Sequence, residues 1–222
     1  MTSVQNNLGA VLDTLPEGVG LVAVSKFHPV EAIREAYDAG QRRFGESRVQ
    51  ELTAKIPQLP DDVEWHFIGH LQTNKVRPLI GRVALIESID SQHLLDAVDR
   101  ESERVGTVTR VLMQVHVAAE ETKTGFSPDE LLQWFADRRF EALRATHICG
   151  IMGMATNTDD SARVAADFEA IASVYRRILE IAPDLRGFDT LSMGMSGDYP
   201  AAIAAGSNLV RVGTAIFGPR QY

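Results

Sequence analysis

The chain has 222 residues, 45% apolar and 23% charged, an ordinary globular mix that excludes a disordered, collagen-like or coiled-coil polymer. Against 22 Lys and Arg stand 30 Asp and Glu, a net charge of −8, which excludes a sequence-independent grip on nucleic acid or anionic lipid and requires any anionic ligand to be held by a local site. The one cysteine, Cys149, allows no internal disulfide and no cysteine-rich zinc site, as expected of a cytoplasmic protein, and its ordinary role is that of a small buried hydrophobe.

Taken in order, the chain opens with a helical pattern over residues 4–15. The first Lys or Arg is Lys26, and no apolar stretch approaches the roughly 20 residues of a membrane span, so neither a secretory signal nor a membrane segment is expected. A β-rich run, VGLVAVS, follows over 19–25, then a helix over 29–39 that begins at a proline and is followed by Gly40. Further runs lie at 42–45, 64–69 and 83–89. A helix over 91–104 takes Ser91 as its cap, a strand is expected at 110–117, and a helix over 127–137 carries Pro128 in its first turn. The run at 146–152 leads into the longest helix, 159–181, whose apolar residues Val164, Phe168, Ile171, Val174 and Ile178 recur every three or four positions. Runs at 188–193, followed by a further helix, and at 208–213 complete the series.

Strand runs alternating with helices predict repeated βα units. At about 28 residues per unit the chain matches the lower size range of a (β/α)8 barrel of TIM type. An open doubly wound sheet would present a Gly-rich fingerprint after its first strand, where this chain reads SKFHPV. The expectation is a single barrel domain, residues 1–222, with an extra N-terminal helix.

Active sites of such barrels lie at the C-terminal ends of the strands. Lys26 ends the first run, where desolvation would free its amine to attack a carbonyl and form a Schiff base; a lysine reaching out to the rim is the structural alternative. The eighth run ends RVGTAIFG. Phosphate sites of these barrels follow strands seven and eight, Gly213 lets the main chain approach closely, and Thr214 adds a hydroxyl donor. The seventh run feeds LSMGMSGDY, with Ser192 and Ser196 around a flexible Met-Gly-Met. Arg211, two residues before Gly213, shares its face; inside a barrel its guanidinium needs an acceptor, either a cofactor ring nitrogen or a carboxylate. His66 and His70 lack the helical spacing of a zinc pair and no third ligand is evident, so no metal is expected. Asn74, Lys75, Lys123 and Gly125 fall on the same face of the barrel, as functional groups or as a cap and solvated charges.

Together AVSKFHP, FGESRVQE, HFIGHLQTNK, KTGF, LSMGMSGDY and RVGTAIFG, in order over 23–218, resemble the pyridoxal 5′-phosphate homeostasis protein family. The resemblance implies an alanine-racemase-like barrel binding pyridoxal 5′-phosphate, with Lys26 as the Schiff-base lysine, Ser196, Gly213 and Thr214 on the phosphate and Arg211 facing the pyridine nitrogen. Ser47 and Arg48 stand where the family often has Asn-Tyr, so Ser47 is given no role; Asn208 replaces a more usual threonine. The family is thought to buffer the cofactor and to influence vitamin B6 and amino-acid pools without established catalysis. That implies no catalytic residues, the cofactor itself as the principal partner, apo-enzymes as candidate recipients, and neither nucleic acid nor membrane as a partner. Only 212–222 follow Arg211, whereas related racemases draw an acid or base group from an additional C-terminal domain. A pyridoxal-phosphate-dependent amino-acid racemase is the second reading, and a cofactor-free Schiff-base aldolase, which shares barrel and lysine, is the third.

Overall fold

Short apolar runs become strands here because each is covered on both faces, which selects near-continuous hydrophobic segments over alternating ones. The computed structural model describes residues 2–120 and 124–219. Its strands are β1 (Gly20–Val24), β2 (Arg43–Glu46), β3 (Glu64–Phe67), β4 (Leu85–Ile89), β5 (Thr109–Val115), β6 (Thr146–Gly153), β7 (Thr190–Ser192) and β8 (Leu209–Val212). All pair in parallel and in chain order, and β1 meets β8, so the sheet closes into the expected eight-stranded barrel.

Helices start where the caps are. Ser91 accepts from the Leu94 N–H and opens α4 (Gln92–Val105), which Gly106 ends in the left-handed region. Ser127 and Glu130 form a capping box at α5 (Pro128–Ala136). Asp160 caps α6 (Ser161–Ile181), so that helix begins two residues later than its periodicity suggests. The others are α1 (Ser3–Leu12), α2 (Val30–Asp38), α3 (Val49–Lys55), α7 (Tyr199–Ala204) and α8 (Thr214–Phe217). The β3 to β4 connection carries a 3₁₀ turn, Thr73–Lys75, in place of an α-helix.

The first and last strands form a seam: Val22 pairs with Arg211 and Ala23 with Val212. Helix α1 lies across it, packed on α2 and α8, and Asn7 Nδ2 donates to the Ile216 carbonyl at 3.1 Å.

A bulge in β6 decides what the barrel interior holds. Val111 pairs with Ile148 but Leu112 with Gly150, so Cys149 is an extra residue on that strand. Gly150 sits at φ +156°, and a Cβ there would come within 1.7 Å of the Thr190 carbonyl oxygen, so only glycine fits. The extra residue breaks the alternation, and Cys149 and Met152, three apart, join the same inner cluster with Val22, Leu85, Leu112 and Leu209. Burial pushes the Cys149 thiol up from its ordinary value, against the pull of Arg110, as expected of a structural thiol.

Candidate functional site

Strands β1, β7 and β8 are neighbours, so the residues just past their C-terminal ends converge on one opening. A cavity of about 230 Å³ lies there, lined by Lys26 and His28 after β1, Ser196 and Gly197 after β7, and Arg211, Gly213 and Thr214 on and after β8. All five residues singled out from sequence, Lys26, Ser196, Arg211, Gly213 and Thr214, thus share one wall. The loops are tied together: the Gly213 N–H donates to Ser196 Oγ at 3.1 Å. A Cβ on Gly213 would come within 3.0 Å of the Val24 carbonyl oxygen, which is why the chain runs this close to β1. Apolar walls come from Val24, Ile68, Met152 and Met154, and Met152 faces inward because of the bulge. The donor set suits one kind of occupant: an amine for a carbonyl, hydroxyls and backbone for an anion, apolar side chains for a flat ring.

Beneath the cavity Arg211 is only 4% exposed. Its guanidinium donates to Ser192 Oγ and, at 3.1 Å, to the Gly153 carbonyl, and it stands 3.5 Å from Glu87 Oε2. Glu87 is fully buried; it accepts from Ser192 Oγ at 2.6 Å and pairs with His66 Nδ1 at 2.6 Å. Of the two acceptors considered for Arg211, the structure supplies the carboxylate from within the chain. Burial lowers Arg211, with Glu87 opposing, yet guanidinium basicity keeps it charged. Burial alone would push the Glu87 carboxyl up, but the His66 hydrogen bond and charge, the Arg211 charge and the Ser192 hydroxyl outweigh it and hold the group below 4.5.

That direction fixes a sign. A carboxylate held below its unfolded value adds stability that is fully present above the unfolded pKa and is lost as pH falls through the folded one. Glu87→Gln should therefore lower stability at neutral pH and flatten its decline below about pH 4.5. Urea unfolding of both proteins from pH 7 to pH 3 measures this; parallel pH dependences would show that Glu87 is not ionised in the native column.

Other residues separate from the site. His66 and His70 each meet a carboxylate, Glu87 and Asp90, rather than each other, and among the described residues no group of three or more His, Cys, Asp or Glu is placed to hold a metal. Asn74 and Lys75 lie in the 3₁₀ turn and outside the cavity wall, as does Gly125; Lys123 lies outside the described residues. Asn208 joins β7 to β8 from its side chain, donating to the Asp189 carbonyl at 2.6 Å and accepting from the Leu191 N–H at 2.8 Å. Arg48 covers the Phe27 ring at 4.6 Å.

Sequence reasoning missed His28, Glu87 and an ionic cluster bonded to the neighbours of Lys26, made of Glu46, Glu51 and Lys55. A carboxylate inside the apolar run VALIESI was the readable sign of Glu87, since a charge so placed needs a partner. His28 follows Lys26 by two residues, and its ring stacks on Phe217 with centroids 5.2 Å apart.

Three comparisons bear on this site. The family model for the alanine racemase N-terminal domain matches residues 1–221. A protein of Pasteurella multocida named pyridoxal phosphate homeostasis protein is 38% identical over 209 residues, covering 92% of this chain and 88% of its own. The solved structures of PipY from Synechococcus elongatus are 38% identical and cover 97% of this chain and all of theirs, with TM-scores of 0.92 without pyridoxal phosphate and 0.88 with it bound. Alanine racemase of Enterococcus faecalis, 21% identical at a TM-score of 0.75, shares the fold over 58% of its length.

Proposed function

This chain belongs to the alanine racemase N-terminal-domain family and, within it, to the pyridoxal phosphate homeostasis proteins, and from that premise we propose that it binds pyridoxal 5′-phosphate on Lys26 as a reservoir rather than a catalyst. The observation that carries the reading is the convergence of a strand-end amine with hydroxyl and backbone donors from two adjacent loops on one cavity with apolar walls. The bound group supplies an aldehyde, an electrophilic carbon. The Lys26 nitrogen forms the bond to that carbon and gives up both amine protons as the carbonyl oxygen leaves as water. Ser196, Gly213 and Thr214 would hold the phosphate, Val24, Ile68 and Met152 would enclose the ring, and Arg211, which lines the cavity while held by Glu87, Ser192 and the Gly153 carbonyl, would face its nitrogen. An arginine donor disfavours the ring's pyridinium form and so weakens its electron sink. Apo-enzymes are the recipients in this proposal, and the cytoplasm is the compartment. No helix among the described residues is long and apolar enough to cross a membrane.

Incubating the loaded protein with an apo-enzyme that requires the cofactor should restore that enzyme faster than release into buffer allows. Restoration at the rate of free release would remove the delivery role. The phosphate end has its own test. Charge-assisted hydrogen bonds are worth about 1.5 to 3 kcal/mol each, so the Ser196→Ala, Thr214→Ala double variant should lose roughly a hundredfold or more in affinity by equilibrium dialysis with the fold intact. Wild-type affinity would place the phosphate elsewhere.

A second reading, an amino-acid racemase, has one observation in its favour: His28 is another titratable side chain on the wall with Lys26. Solvent-deuterium incorporation into alanine by the loaded protein, lost in His28→Gln, would establish it; no incorporation is expected.

A further inference from the structure

Bonded to the residues on either side of Lys26, and not among those lining the cavity, is an ionic cluster that the site as described does not use. Lys55, the last residue of α3, is 6% exposed and lies outside the cavity wall. Its ammonium has three donors, and three acceptors meet it: the Ser25 carbonyl at 2.9 Å, Glu46 Oε1 at 2.7 Å and Glu51 Oε1 at 2.7 Å. The same two carboxylate oxygens reach the chain around Lys26. Glu46 Oε1 accepts from Ser25 Oγ at 2.7 Å, and Glu51 Oε1 accepts from the Phe27 N–H at 2.7 Å. The residues on either side of Lys26 are thereby bound to one cluster.

Phe27 sits at φ +67°, in the left-handed region that a non-glycine residue occupies only when its surroundings hold it there. Several contacts contribute to that hold: the Phe27 N–H donates to Glu51, Lys55 Nζ donates to the Ser25 carbonyl, Ser25 Oγ donates to Glu46, the His28 N–H closes a turn onto the Ser25 carbonyl at 3.1 Å, and Arg48 covers the Phe27 ring. They fix the peptides before and after Lys26 and hence the direction in which its side chain leaves the strand. We propose that Lys55, Glu46 and Glu51 form a positioning clamp for Lys26, aiming its amine into the cavity.

Stability alone does not account for the cluster. Two carboxylates share one ammonium, and Glu46 Oε2 has no hydrogen-bond partner among the described residues. Burial pushes the Glu46 carboxyl up from its ordinary value against the pull of Lys55 and Ser25. Replacing buried ion clusters with apolar side chains of similar volume is often neutral or stabilising, so the gain from this one lies in geometry. The clamp rests on the reading of Lys26 as the amine that takes the cofactor aldehyde, and its test is arranged so that each can fail alone.

The test uses the full chain and the variants Lys55→Met and Glu51→Ala. Each is mixed with pyridoxal phosphate, and the bond to Lys26 is trapped with borohydride at intervals. Each is also titrated with an analogue that lacks the aldehyde, and the reductively carbon-13-methylated Lys26 is followed by NMR. Folded variants should bind the analogue as the wild type does but form the covalent bond roughly tenfold to a hundredfold more slowly, the scale of a 1 Å misplacement. The Lys26 methyl resonance should shift or broaden. Adding Phe27→Gly to Lys55→Met should restore part of the rate, since glycine reaches the positive φ of this position without steric cost.

An unchanged rate, or equal loss of the bond and of analogue affinity, would overturn the clamp. If Lys55→Met does not fold, Glu51→Ala carries the measurement, because the Glu51 side chain is 20% exposed. If the wild type takes up neither pyridoxal phosphate nor the analogue, the cofactor reading fails, and an unchanged Lys26 methyl resonance in the variants would still overturn the clamp.

Discussion

A Lys26→Ala variant should fold normally and carry no borohydride-trapped pyridoxyl group, while the wild type carries one on the peptide containing Lys26. The effect is all or none because covalent attachment needs a primary amine at the cavity, and among the described residues Lys26 is the lysine on its wall. Noncovalent affinity through the phosphate loops should survive in part. Peptide mapping after reduction decides the matter: a pyridoxyl mass on Lys55, Lys75 or Lys123 in place of Lys26 would remove the assignment.

The second large effect is on stability. Arg211→Leu leaves Glu87 buried with its cationic neighbour gone, and breaking a buried pair from one side costs about 3 to 5 kcal/mol. Arg211→Glu should be worse, since it sets a second carboxylate beside the first. With Glu87 in place, glutamate at 211 is a way to unfold the barrel. Adding Glu87→Gln to Arg211→Leu should recover part of the loss, and a double-mutant cycle by urea denaturation measures the coupling. A cost under about 1 kcal/mol for Arg211→Leu would mean that Glu87 is held by His66 and Ser192 alone.

What could be read from sequence follows the range of the interactions involved. Ser91, Ser127 and Pro128 mark helix starts through contacts within one turn, so α4 and α5 were legible to within a residue or two. Strand runs were legible because a barrel buries them on both faces, and the place of Lys26, Gly213 and Thr214 on the cavity wall because each follows a strand's C-terminal end. The partner of Arg211 was not. Glu87 and Ser192 come from strands β4 and β7, and nothing local to β8 specifies them. The seven-residue helix α3 passed unnoticed for a related reason: Lys55 and Glu51 look like solvated helix charges until β2 brings Glu46 against them. The bulge at Cys149 was hidden as well, since an extra residue in a strand shows only in its neighbour's register.

The seam between β1 and β8 also sets a time for the site to exist. Lys26 follows the first strand and Thr214 the last, so almost the whole barrel must be synthesised between them. At about 5 to 20 residues per second, the amine waits roughly ten seconds or more on the ribosome before the loop after the last strand appears. On an unfinished barrel Lys26 is one amine among many, and under the proposed function selective capture of an aldehyde would begin only when the final strand docks. Afterwards a ligand anchored on both sides of that joint acts as a clasp, adding its binding free energy to closure by mass action. Under the proposed function, the amount of loaded protein in a cell would report completed barrels, not merely completed chains.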